Sequence, residues 1–67
     1  MSLFKVTKDK KSLYIKDIDY ANTALTFTED TSEAYQRDSG YYANAEFDFI
    51  KRYFTEKYPE IKTLQIY

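Results

Sequence analysis

The chain has 67 residues and a formal net charge of −1, which is the size of one small domain spanning residues 1–67. It contains no cysteine and no histidine, so disulfide bonds, thiolate metal sites and histidine-based catalysis are excluded. Its single glycine also excludes the glycine-rich loops that hold phosphate groups. Without disulfides or bound metal to stabilise it, the chain needs a hydrophobic core, which its eight tyrosines and five phenylalanines can supply.

The N-terminal third predicts a β-hairpin. Residues 3–7 and 13–18 alternate apolar and polar side chains, which is the pattern of half-buried strands. Residues 8–12 between them are polar and few enough for a hairpin loop. Strict alternation places Tyr14 and Ile18 on the outer face of the sheet.

The middle of the chain predicts a third strand and one helical turn. Residues 17–23 form a loop, and residues 24–28 form a strand that turns its apolar side chains inward. Asp30 followed by Glu33 has the spacing of a helix N-cap with its partner, so we expect one turn of helix carrying Ala34. Residues 35–42 are expected to be irregular.

The last third predicts the main helix and a final strand. Asn44 is the expected N-cap, and Pro59 should end the helix near Tyr58. Residues 61–67 read as a strand. The fold class is α+β, a small antiparallel sheet of three to four strands in the order β-β-β-α-β with one main helix on one face. The predicted core consists of Phe4, Val6, Leu13, Ile15, Leu25, Phe27, Phe47, Ile50, Phe54, Tyr58, Leu64 and Ile66.

Carboxylates are the remaining candidates for chemistry. Asp17 and Asp19 would point to one side of a strand end and could hold Mg²⁺, and Glu33 could act with them. Solvation of a loop and capping of a helix explain the same residues. We therefore expect no enzyme activity, no catalytic residues, no metal site, no cofactor and no small-molecule substrate.

Exposed aromatic residues on the main helix indicate a function more clearly than the carboxylates do. Phe49 lies about 140° and Tyr53 about 100° from the centre of the apolar stripe, at about 100° of rotation per residue. With Arg52 between them, they have the composition of a protein-interaction hot spot. The alternative is that the tyrosine-rich loop 35–42 folds over Phe49 and closes a second small core.

Two further surfaces follow from the predicted sheet. Tyr14 and Tyr67, with Ile18, would form a partly apolar outer face, and the last strand could be a free edge for strand addition.

The second functional class is a nucleic-acid accessory factor that uses the basic hairpin and Tyr14. The overall acidic balance disfavours this alternative. Its basic residues are Lys8, Lys10, Lys11 and Lys16.

The chain resembles small uncharacterised proteins of phages and prophages in low-GC Gram-positive bacteria. The resemblance is carried by residues 13–16, by residues 25–30 with Ala34 following, and by a helix that begins near residues 44–46. It implies no activity, cofactor or site, but it does imply host or phage proteins as targets. Together with the exposed aromatics, it predicts a protein-binding accessory protein. Its partner is either another protein or a second copy of the chain as a homodimer.

No apolar run approaches the roughly 20 residues of a membrane span, and the first residues lack the pattern of a signal peptide. We therefore expect a soluble cytoplasmic protein with no membrane partner.

Overall fold

The computed structural model describes residues 2–38 and 40–67, so Ser39 of the predicted irregular stretch lies outside the described residues. The elements in chain order are β1 (Phe4–Lys8), β2 (Lys11–Asp19), β3 (Ala24–Thr28), a 3-10 turn (Thr31–Glu33), α1 (Tyr41–Tyr53) and β4 (Ile61–Ile66). The strands form one antiparallel sheet in the order β3-β2-β1-β4. The helix α1 adds the α component, and the predicted α+β class is confirmed.

The core lies between one face of the sheet and α1. Every residue of the predicted core belongs to it, and half of them are buried. The buried ones are Phe4, Val6, Ile15, Leu25, Ile50 and Phe54. The others pack partly buried against them, and are Leu13, Phe27, Phe47, Tyr58, Leu64 and Ile66.

A β-bulge in β2 reverses the predicted orientation of Ile18. The pairing with β3 shifts register between Ile15 and Asp17, so Lys16 is the extra residue. After one extra residue the alternation of side chains is inverted. Ile18 therefore pairs with Leu25 and packs against the core. The prediction that Ile18 lies on the outer face is wrong for this reason.

The chain after the 3-10 turn inserts between β1 and β2. Their pairing ends at Lys5 and Tyr14. Beyond that point the N–H of Tyr35 donates to the carbonyl of Ile15 at 2.9 Å. Arg37 in turn exchanges backbone hydrogen bonds with Ser2 at 2.7 and 3.0 Å. These bonds hold Tyr35 and Arg37 beside the helix.

The helix begins and ends earlier than predicted. Its N-cap is Gly40 with φ of 88°, a conformation that glycine adopts without strain, and Tyr41 is already helical. Asn44 lies inside the first turn and donates through Nδ2 to the carbonyl of Gly40 at 2.9 Å. At the other end the hydroxyl of Thr55 donates to the carbonyl of Lys51 at 2.6 Å. The chain leaves the helix there, so the predicted end near Tyr58 is wrong.

The β1–β2 hairpin closes with a two-residue turn that contains no glycine. Lys8 pairs with Lys11, and the intervening Asp9 and Lys10 have φ of 52° and 65°. Positive φ at both central residues is the signature of a type I′ turn, which favours glycine at the second position.

Replacing Lys10 by glycine is expected to stabilise the protein. A left-handed conformation costs a non-glycine residue roughly 1–2 kcal/mol, so we expect a gain of about 1 kcal/mol and a rise in Tm of roughly 4–8 °C. Thermal unfolding followed by circular dichroism measures this change. Lys5→Gly, inside β1, is the control and should lower Tm, since glycine weakens a strand. A fall in Tm for Lys10→Gly would contradict the turn assignment.

Candidate functional site

The candidate site is a cluster of exposed aromatic rings, which we call the aromatic face and define as Tyr20, Phe49 and Tyr53. Phe49 is 44% exposed, and its ring lies 4.8 Å from the ring of Tyr53 and 5.6 Å from that of Tyr20. Tyr20 and Phe49 also contact the buried ring of Phe54, at 5.8 and 6.1 Å. The exposed rings therefore rest on the core, and their exposed sides share one surface.

The tyrosine-rich loop does not cover Phe49. Tyr41 and Tyr42 are 80% and 60% exposed and contact each other at 5.5 Å. Arg37 lies over the ring of Tyr42 at 5.5 Å. Tyr35 stacks on the buried ring of Phe4 at 6.2 Å. Tyr41 and Tyr42 belong to α1, and Tyr35 packs against Phe4, so the alternative of a second core over Phe49 does not describe this structure.

Arg52 lies beside the aromatic face without a carboxylate partner in the described part of the chain. It lines a shallow depression together with Asp48, Phe49 and Tyr53. The helical spacing predicts ion pairs of Arg52 with Asp48 and with Glu56. Neither occurs within 4.0 Å, and Glu56 lies beyond the end of the helix. The guanidinium of Arg52 is therefore available to a carboxylate or an aromatic ring of another molecule.

Glu46 anchors Tyr20, one of the three rings of the aromatic face, through a hydrogen bond. Its side chain is only 9% exposed and accepts hydrogen bonds from the hydroxyls of Tyr20 and Tyr35. Arg37 approaches the same carboxylate at 3.6 Å. One carboxylate on α1 thus holds the β2–β3 turn through Tyr20 and the inserted segment through Tyr35. The nearly buried charge is compensated by two hydroxyl donors and by the guanidinium of Arg37.

The two tyrosines that bind Glu46 have raised pKa values. Burial, followed by the hydrogen bond to the Glu46 carboxylate, raises the pKa of Tyr20 far above its ordinary value. The same two causes raise the pKa of Tyr35. Both hydroxyls remain protonated donors at neutral and mildly alkaline pH, so Tyr20 stays anchored under those conditions.

The predicted interaction residues are divided between opposite sides of the molecule. Phe49, Arg52 and Tyr53 lie on α1. Tyr14 and Tyr67 lie on the outer face of the sheet, where their rings meet edge to face at 5.6 Å. Lys5 places its ammonium 5.3 Å from the centre of the Tyr67 ring. A single partner surface could therefore contact either the group on α1 or the group on the outer face of the sheet, but not both.

Most lysines of the basic hairpin are already in ion pairs. Among the four candidate lysines, Lys8 lies 3.6 Å from Glu60, Lys11 4.0 Å from Glu29, and Lys16 3.5 Å from Glu33. Lys10, at the tip of the turn, forms no ion pair within the described residues. Lys8 also lies 4.7 Å from the centre of the Phe27 ring. The paired carboxylates partly neutralise this basic patch, which weakens its attraction for phosphate groups.

The candidate carboxylates serve local backbone structure. Asp30 accepts the hydroxyl of Ser32 at 2.7 Å and, as the predicted cap, the N–H of Ser32 at 2.9 Å, and these two bonds lower the pKa of Asp30. Asp19 accepts from the side-chain and backbone N–H groups of Asn22, which likewise lowers its pKa. Asp17 accepts the N–H of Ile18. Across residues 2–38 and 40–67, no three acidic side chains come together to hold a metal ion.

Tyr20 and its anchor were not identified from the sequence. The helical spacing places Glu46, Phe49 and Tyr53 on one side of α1, but nothing local indicates that a loop tyrosine completes the group. The contact joins residues 26 positions apart and exists only once the sheet and helix have packed.

Within the described residues no helix is long and apolar enough to span a bilayer. Comparisons with protein-family models, with curated proteins and with solved structures found no match to this chain.

Proposed function

We propose that this chain is a small non-catalytic protein-interaction module that binds its partner through the aromatic face. The observation that carries the proposal is the half-exposed ring of Phe49, held between Tyr20 and Tyr53 and supported by the core. Rings that are already fixed lose little conformational freedom on binding, which favours affinity. Exposed aromatics beside an unpaired arginine have the composition of an interface hot spot.

The size of the aromatic face sets the scale of the interaction. Its three rings are 44–53% exposed, which corresponds to about 300 Å² of accessible surface. A standard interface buries about 800 Å² per partner. The aromatic face would therefore form the centre of such an interface, with Asp48 and Arg52 in its polar rim.

The proposed partners are proteins, including a second copy of the chain. The sequence resemblance to phage and prophage proteins makes a host or phage protein the other class of partner, and an accessory role in that setting is part of the proposal. The ion pairs of the basic hairpin support a protein in preference to a nucleic acid.

Phe49→Ala is expected to weaken association by roughly 30-fold or more, the effect of losing a hot spot of about 2 kcal/mol. Sedimentation velocity from micromolar to millimolar protein measures self-association. Tyr41→Ala is the matched control, because Tyr41 is 80% exposed on the same helix but lies outside the aromatic face.

Photo-crosslinking tests binding to other proteins. Benzoyl-phenylalanine at position 49 should cross-link a specific protein in the native host cell, whereas the same group at Thr26, exposed on β3, should not. A monomer at all concentrations that also gives no cross-link specific to position 49 would refute the proposed function.

A further inference from the structure

The two edges of the sheet differ in how their backbone groups are used. On the β3 edge, the N–H of Leu25 donates to the hydroxyl oxygen of Tyr58 at 2.8 Å, and that hydroxyl approaches the carbonyl of Leu25 at 3.4 Å. Lys57 donates to the carbonyl of Asn22 at 2.8 Å, just before the strand begins. Side chains from the segment after α1 thus occupy this edge, which blocks the approach of another strand.

The β4 edge carries outward backbone groups with no partner in the described residues. Leu3 and Tyr67 exchange both backbone hydrogen bonds, at 3.3 and 2.8 Å. Alternation along an antiparallel ladder then makes Phe4–Ile66 and Val6–Leu64 non-hydrogen-bonded pairs. The N–H and C=O groups of Leu64 and Ile66 therefore point away from β1. No described segment pairs with that side of β4.

The groove beside this edge is positively charged. It runs between α1 and β4, and its lining includes Lys51, Thr55, Lys62 and Gln65 but no acidic residue. Lys51 and Lys62 are exposed, and neither has a carboxylate within 4.0 Å in the described residues. This contrasts with the paired lysines of the hairpin.

We propose that β4 is a docking edge for an extended acidic peptide segment of another protein, which adds to the sheet as a fifth strand. The outward groups of Leu64 and Ile66 supply main-chain hydrogen bonds, as in other cases of strand addition. Lys51 and Lys62 select carboxylates on the incoming strand. This inference goes beyond the aromatic face, because the two surfaces share no residue.

Charge also distinguishes this occupant from a second copy of the chain. Pairing of β4 with β4 of another copy would bring Lys51 and Lys62 of both molecules to one junction, where like charges repel. The register shift opposite Thr7 and Lys8 makes Lys62 the extra residue of β4, so its positive charge lies at the edge itself. An acidic strand relieves the same repulsion.

The test is selection from a displayed library of random heptapeptides against the wild-type protein. We expect enriched sequences with aspartate or glutamate at alternate positions between β-branched residues. On binding a selected peptide, the amides of Leu64 and Ile66 should gain protection from hydrogen exchange. The double variant Lys51→Glu, Lys62→Glu should bind about tenfold more weakly or worse, while the matched variant Lys10→Glu, Lys11→Glu should bind as the wild type does.

Other outcomes overturn the inference. Enriched peptides without acidic residues, or amide protection away from β4, would refute it. A dimer that is lost on N-methylation of the Leu64 amide, a change that keeps the side chain, would replace the acidic peptide by a second copy. Phe49→Ala should leave peptide binding unchanged, so that failure at β4 is separable from failure at the aromatic face.

Discussion

Phe54→Ala is expected to remove a large part of the stability of the protein, about 3–5 kcal/mol. Phe54 is 1% exposed and ends α1 against the sheet. Phenylalanine-to-alanine changes in a core cost about 3–5 kcal/mol, and a chain of this length has a total stability of roughly 3–10 kcal/mol. Urea denaturation followed by far-UV circular dichroism measures the loss.

Phe49→Ala is the matched control for this prediction. It makes the same change five residues earlier in the chain, but at a ring that is 44% exposed. We expect it to cost less than about half as much, because less apolar area leaves water on folding at that position. Equal losses for the two variants would place Phe49 in the core and remove the basis of the proposed interaction surface.

Glu46→Gln is expected to lower the free energy of unfolding by about 2 kcal/mol at neutral pH, the range of hydrogen bonds to a charged group. The substitution keeps the shape of the side chain but removes the charge that Tyr20, Tyr35 and Arg37 share. Glu33→Gln is the control. Its pair with Lys16 is half exposed, so it should cost less than about 1 kcal/mol. Chemical denaturation compares them.

The same cluster gives the wild type a characteristic alkaline response. The pKa values of Tyr20 and Tyr35 are raised on folding, so their contribution is complete below the ordinary tyrosine pKa of about 10. That contribution is lost as pH rises further, because the unfolded state then releases protons that the folded state retains. Free energies of unfolding measured from pH 8 to 11 should fall less steeply in Glu46→Gln. Parallel curves would contradict the assigned hydrogen bonds.

The elements that could be predicted are those with strong local patterns. Alternation identified β1, β3 and β4, and the stripe from Phe47 to Phe54 identified α1, because each pattern depends on neighbours within one or two turns. The predicted ends of α1 were wrong because they depend on backbone conformation and on bonds that the apolar pattern does not reveal. Gly40 admits two more tyrosines to the helix, and α1 already ends at Tyr53, where the hydroxyl of Thr55 bonds the carbonyl of Lys51.

For the candidate site, the sequence by itself determined that Phe49, Arg52 and Tyr53 lie off the apolar stripe of α1, because helical geometry sets those angles. The tertiary structure alone decided that Tyr20 joins them, since Glu46 binds a turn 26 residues away. It alone decided that the bulge at Lys16 turns Ile18 inward, and that Tyr58 closes one sheet edge while no described segment pairs with the other. The physical reason is that these contacts depend on sheet register and order, which arise only when distant segments pack together.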